Sequence, residues 1–176
     1  MTIDTVKATD GAQVGVLAGV RESFRYKTQW VIDKFASDED ARAGKAFEQV
    51  VIDGNMLLNA GINLLLTLGA GGAGTAFNNA NARIGVGDST AAEAATQTGL
   101  QAATNKTYKA MDATYPTSGT SQQIVFRATF IGTDANYAWQ EFLVDNGTTA
   151  LNRKVSNQGT KVSGQTWTIT VTITLS

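Results

Sequence analysis

The sequence contains neither cysteine nor histidine. Lack of cysteine excludes disulfides, thiolate metal ligands and sulfur nucleophiles. Lack of histidine removes the commonest general base, proton shuttle and metal ligand at neutral pH. Triads built on histidine are thereby excluded, which leaves carboxylate pairs, a Ser-Lys pair and oxygen-ligated cations as possible site chemistry. Proline is almost missing, with Pro116 the single instance. An excess of one charge is lacking too: 14 Lys and Arg stand against 15 Asp and Glu in 176 residues. That balance points to neither nucleic acid nor a membrane surface as a partner. Long apolar runs are absent. The longest, Met56 to Leu68, is interrupted by Asn59, Asn63 and Thr67, and it is shorter than the roughly 20 residues that span a bilayer. A second apolar stretch, Gly11 to Val20, follows Asp4 and Asp10 and precedes Arg21 and Glu22. A secretory signal has the opposite arrangement, so no targeting segment is expected.

What the chain does have is glycine, threonine and alternation. Eighteen glycines punctuate short runs of alternating apolar and polar residues, the pattern of strands joined by tight turns. Charge thins out along the chain: residues 1–50 hold 7 Lys/Arg and 8 Asp/Glu, against 7 of each in residues 51–176. This shift suggests an N-terminal arm or peripheral strand layer over 1–50 and a β-rich domain over 51–176.

Within the first part, Glu22 to Phe35 alternates, with Phe24, Tyr26, Thr28, Trp30 and Ile32 on one face. Period two with aromatic and β-branched residues predicts a strand. Ser37-Asp38-Glu39-Asp40 reads as a solvated turn or a short helix start with acids at its N-terminus; it lacks the ligand spacing of a calcium loop. Asp53-Gly54-Asn55 opens the main helix, over about 55–68, with Asp53 or Asn55 as cap and Gly69 as its left-handed end. Leucine and isoleucine surround most of its circumference, which predicts a buried helix.

Gly69 to Gly74 fits G-x-G-x-x-G. A dinucleotide site needs that motif after a strand and before a helix, whereas here it follows the helix. A plain connecting loop is therefore expected. Ala82 to Val86 reads as a strand, residues 91–104 as a surface loop with one helical turn at most, and Asn105 to Ala113 as a further strand. Gln122 to Ile131 alternates, and Ala135 to Val144 does so with a break near Glu141 that suggests a bulge. Asp145-Asn146-Gly147 signals a hairpin, followed by a short strand at Leu151 to Val155. At the end, Trp167, Ile169, Val171, Ile173 and Leu175 alternate with five threonines, a long strand with one apolar face. The expected fold class is mainly β, a sandwich or barrel-like pair of antiparallel sheets, with one main buried helix and an extended N-terminal arm.

Site chemistry is sparse. Glu141 stands among Tyr137, Trp139 and Phe142. These residues could form a carbohydrate platform; the plainer expectation is aromatic core with Glu141 satisfied beside Arg127 or Arg153. No catalytic, cofactor-binding or metal-binding residue is assigned.

Six segments, YKTQWVIDKF (26–35), GNMLLNAGINLLL (54–66), ARIGVGDST (82–90), VFRATFIGTDANYAWQEF (125–142), LNRKV (151–155) and GTKVSGQTWTITVTITL (159–175), resemble small structural proteins of tailed bacteriophages and prophages in type, order and spacing. The resemblance covers residues 25–176. It implies a β-rich, non-enzymatic virion subunit, often a homotrimer, seated on a capsid lattice or in a ring on a tail. The first expectation is a capsid decoration (cement) protein on the capsid exterior, assembled in the host cytoplasm. Its partners would be the major capsid protein and neighbouring copies of itself, with no cofactor. A tail or baseplate subunit, with tail proteins as partners, is the alternative, and a host-carbohydrate-binding module is a third. The face Phe24, Tyr26, Trp30 and Ile32 is the candidate assembly contact, weighed against the possibility that its strand completes the chain's own sheet.

Overall fold

A computed structural model describes residues 25–176. Ten strands and two helices follow one another: β1 (Tyr26–Phe35), α1 (Asp38–Arg42), β2 (Glu48–Asp53), β3 (Met56–Leu57), α2 (Asn59–Gly69), β4 (Arg83–Gly87), β5 (Lys106–Ala110), β6 (Thr117–Thr120), β7 (Gln123–Phe130), β8 (Glu141–Asp145), β9 (Ala150–Val155) and β10 (Thr166–Leu175). They form two five-stranded sheets, ordered β2-β1-β10-β7-β6 and β3-β9-β8-β4-β5. Every pairing is antiparallel. The class expected from the alternation, mainly β in sandwich-like antiparallel sheets, is the fold observed.

The first sheet is built on the two longest strands. β1 and β10 pair over their whole length, from Tyr26 opposite Leu175 to Phe35 opposite Thr166. Strand periodicity sends Trp30 and Ile32 inward from β1, and Trp167, Ile169, Val171 and Ile173 inward from β10. Phe126, Ala128 and Phe130 of β7 continue that layer. Opposite them the second sheet contributes Ile84, Val86, Phe142, Val144 and Leu151. Trp139, just before β8, stands between the layers. Its ring meets those of Trp167, Phe130 and Phe142 edge-on, with centroids 4.7, 4.9 and 6.1 Å away. Such edge-to-face pairs contribute about 0.5–1.5 kcal/mol each beyond the area they bury.

Several expectations are corrected. A boundary at residue 50 would cut through β2, and β1 lies second in its sheet, so residues 26–50 belong to the domain and not to an arm. Residues 1–24 are outside the described part. The main helix starts at Asn59, because Met56–Leu57 pairs with β9 instead. Leu58 is its N-cap residue and supplies no side-chain hydrogen bond; the left-handed residue at its far end is Gly71, two positions beyond Gly69. The helix is not buried either. Gly61 is its one buried residue, while Leu66 is 68% and Leu65 43% exposed. The 135–144 segment is irregular up to Glu141, with an isolated bridge between Ala138 and Thr160 and backbone hydrogen bonds from Trp139 to Gly159 and from Gln140 to Gly87. The loop 91–104 contains no helix and lies over the second sheet, where Leu100 and Ala102 are buried.

Gly61 explains how α2 is seated. A Cβ there would lie 2.6 Å from the Leu151 Cα and 2.7 Å from the Leu151 carbonyl oxygen, so the helix rests directly on the backbone of β9. Helix propensity alone would make Gly61→Ala stabilising by about 1 kcal/mol. We expect the reverse: urea unfolding should show Gly61→Ala to be destabilised by about 1–3 kcal/mol, the cost of overpacking.

Candidate functional site

Trp30 and Ile32 are fully buried, and Tyr26 is half-buried against the same core. Their strand is hydrogen-bonded on both sides within its own chain, by β10 and β2. The proposed contact face therefore gives way to the possibility weighed beside it, in which the strand completes the chain's own sheet. Phe24 lies outside the described residues. The carbohydrate platform is also withdrawn, because Trp139 has no solvent exposure and its indole nitrogen donates to the Ala135 carbonyl. The Tyr137 hydroxyl donates to the Val86 carbonyl and lies 2.9 Å from the Thr107 hydroxyl.

The main concentration of buried charge is Glu141 with Arg153. They lie diagonally across β8 and β9, Arg153 standing opposite Leu143, on the side of the second sheet away from the core, and neither is exposed. Arg153 Nε donates to Glu141 Oε2 at 2.8 Å, and its Nη2 is 2.7 Å from the same oxygen. Glu141 also accepts from the backbone N–H groups of Gln101 and Ala102, at 2.9 and 2.7 Å. Arg153 Nη1 donates to the Ala91 carbonyl and the Gln97 side chain. The Val155 N–H donates to Glu93. Together these bonds fasten the 91–104 loop over the sheet. A buried ion pair holds its geometry well only when its remaining donors and acceptors are also occupied. The hydrogen bonds into the loop do that here for Glu141 and for Arg153 Nη1, though not for Arg153 Nη2, and they make the pair a structural fastener. The pairing with Arg153 was one of the two foreseen from sequence; its place beneath the loop was not, since the loop itself has little pattern.

Other polar groups fasten turns in the same way. Lys161 is buried and its ammonium donates to the carbonyls of Ile131 and Asp134 and to the Asn136 side chain, at 2.8, 2.9 and 3.0 Å; burial holds its pKa below the usual lysine value. Ser37 caps α1 by accepting from the Asp40 N–H. Asp38 accepts from the Thr166 hydroxyl and the Gly132 N–H, and chiefly the first of these bonds lowers its pKa. The acidic run is thus a short helix start. The Gly69–Gly74 segment follows a helix and leads towards β4, so it has the wrong context for a phosphate loop. Among the described residues there is no group of three or more acids positioned to hold a metal ion, and no helix long and apolar enough to cross a membrane.

The free edges remain. β3 has two residues, β5 carries Lys106 and Lys109, and β6 is four residues with a register shift between Ser118 and Thr120. Shortness, lysines and bulges are features that discourage edge-to-edge pairing. β2 is different. It runs six residues in unbroken register with β1, and no strand lies on its other side among the described residues. Val51 on this strand and Phe47 just before it are 53% and 55% exposed. Sequence reading missed the strand because its apolar part is only three consecutive residues, Val50 to Ile52, set between charged Glu48 and Asp53.

Two outcomes follow from the polar network. Glu141→Gln and Arg153→Met should each destabilise by about 3–5 kcal/mol, because each leaves a buried charge uncompensated. The double variant should cost less than the sum of the two, as a double-mutant cycle in urea would show. Burial raises the Tyr137 pKa to about 12, against about 10 for a free phenol. A group with a raised folded pKa contributes stability that is complete below pH 10 and is lost as pH rises from 10 to about 12. In a phenolate absorbance titration, Tyr137→Phe should remove one late-ionising group.

No protein-family model matches the chain, and no curated protein or solved structure matches it.

Proposed function

We propose that this chain is a structural subunit of a bacteriophage virion, first of all a capsid decoration (cement) protein that docks on the assembled head. The reading starts from the resemblance of residues 25–176 to small virion proteins. The observation that carries it further is the β2 edge. A six-residue strand with a free side and exposed Val51, flanked by Phe47, is suited to accept a strand or an apolar surface from a neighbour. The neighbour would be the major capsid protein or another copy of the chain in a homotrimer.

A subunit that binds only the assembled shell stabilises it by mass action, without any chemical step. A stiff subunit suits that task, because little conformational freedom is lost on docking. The fastened turns and the wide aromatic interior support this. A tail or baseplate ring would use the same edge in the same way, and it is the second reading.

The test is to mix the purified chain with undecorated heads and with isolated tails of the phage that carries it, and to sediment each. The expected result is co-sedimentation with heads at a saturating ratio. Val51→Asp should weaken that binding at least tenfold while changing stability by no more than about 0.5 kcal/mol, as exposed positions do. Binding to tails alone would select the second reading. Binding to neither would overturn both.

A further inference from the structure

At the end of the first sheet where β1 stops and β10 starts, α1 lies against the outer face, and a cleft of about 450 Å³ opens between them. That volume is within the range of about 300–1,000 Å³ that holds a small ligand. Asp38 and Arg42 line it from α1, Arg127 and Thr129 from β7, and Thr166 and Thr168 from β10. Thr166 and Thr168 are buried and form its floor. No residue of β2 takes part, so the cleft is separate from the edge used in the assembly reading, and either proposal can fail while the other stands.

The donors come from the two arginines. Arg127 is held from behind: its guanidinium lies over the Tyr115 ring, 5.8 Å from the centroid, and its Nε is 3.3 Å from Asp112 Oδ2. Asp112 is itself fixed by the N–H and the hydroxyl of Thr129, at 3.0 and 2.8 Å. The Arg127 contact to Asp112 uses Nε alone, which leaves both Nη groups for a ligand. Arg42 ends α1, is exposed, and forms no salt bridge among the described residues. Two guanidinium groups with unused donors in one cleft suit an oxyanion, which such a fork can bind through two parallel bonds.

The acceptors narrow the choice. The Thr129 proton goes to Asp112, so the 3.1 Å contact between the Thr129 and Thr168 hydroxyls is donated by Thr168. The Thr166 proton goes to Asp38 Oδ1, which also accepts from the Gly132 N–H. Each of the three hydroxyls has thus spent its one proton and offers only lone pairs, as does Asp38 Oδ2. A ligand that meets these oxygens must bring donors of its own, and four separate acceptors match several hydroxyls better than one ammonium. Charge narrows the choice further. Asp38 and Asp112 offset the two arginines, so a dianion such as phosphate meets a repulsion that a single carboxylate does not.

We propose that this cleft binds a polyhydroxylated carboxylate of the uronic-acid kind. Its carboxylate lies between Arg42 and Arg127, and its hydroxyls donate to Asp38 Oδ2 and to the threonine oxygens of the floor. The site is distinct from the aromatic platform withdrawn above, whose Trp139 is core.

The test is a titration of the isotope-labelled full-length chain with D-glucuronate at neutral pH, followed by amide chemical shifts. Partly exposed ion pairs contribute little each, so saturable binding in the millimolar range is expected, with the shifts concentrated at 38–42, 127–131 and 166–168. D-glucose, acetate, glycine and inorganic phosphate each lack one part of the match, and each should bind about fivefold more weakly or worse. Arg42→Gln and Arg127→Lys should each weaken glucuronate binding about fivefold or more, because each removes a guanidinium fork. Lys106→Gln on β5 should leave it unchanged. Arg42 is exposed, so its variant keeps the fold and a loss of binding there is a loss of the site. No saturable shifts with glucuronate would overturn the proposal. Equal binding of any of the other four probes, shifts confined to other residues, or unchanged binding in either arginine variant would overturn it too.

Discussion

The meeting of aromatic rings at Trp139 is the contact on which the rest of this fold depends. Trp167 and Phe130 come from the first sheet and Phe142 from the second, and Trp139 touches all three. Trp30 reaches the same place through Phe142, with ring centroids 5.9 Å apart. Distant parts of the chain are thereby gathered at one point: β1, β7, β8, β10 and the irregular run before β8. A core built from large flat rings in fixed edge-on contacts has few alternative packings, and close-packed interiors transmit rather than absorb displacement. The sheets consequently hold their separation and angle, and the edges are presented in a fixed frame.

Around that centre, polar groups are used as fasteners for irregular chain. Glu141 and Arg153 bind the 91–104 loop to the back of the second sheet. Lys161 binds the turn at 131–136. Lys34 sits over the Trp167 ring while its ammonium donates to Glu48 and to the Gln158 carbonyl. In each case a charge removed from water is repaid with several hydrogen bonds to loop backbone or side chains. Loops without a core of their own are ordered this way, and the result is a fold in which even long connections are tied to the sheets.

The sequence was legible where one physical signal dominated. β10 alternates over ten residues and β7 over eight, and a period of two has a single structural meaning when one face is apolar. The Asp145-Asn146-Gly147 turn was equally plain, because its residue types match the backbone conformation a hairpin needs. Misreadings came where two signals competed. Leucines on every side of residues 57–68 imply a buried helix, yet the segment covers an end of the sandwich and shows its leucines to a groove. Met56 and Leu57 look like helix residues but join the edge of the second sheet. The contact face assigned to Trp30 and Ile32 failed for a related reason: the features that make a strand face sticky are those that place it in a core. The β2 edge, which the functional reading now uses, was hidden because its apolar residues, Val50 to Ile52, are few, consecutive and flanked by charges.

The central claim is that the free side of β2 is where the subunit joins its assembly. Hydrogen exchange across residues 47–53, compared between the isolated chain and the chain bound to undecorated heads, tests it most directly. The account predicts strong slowing at these amides on binding, with little change at the bulged β6 edge. Unchanged exchange over 47–53 in a fully bound sample, or slowing confined to β6, would contradict it.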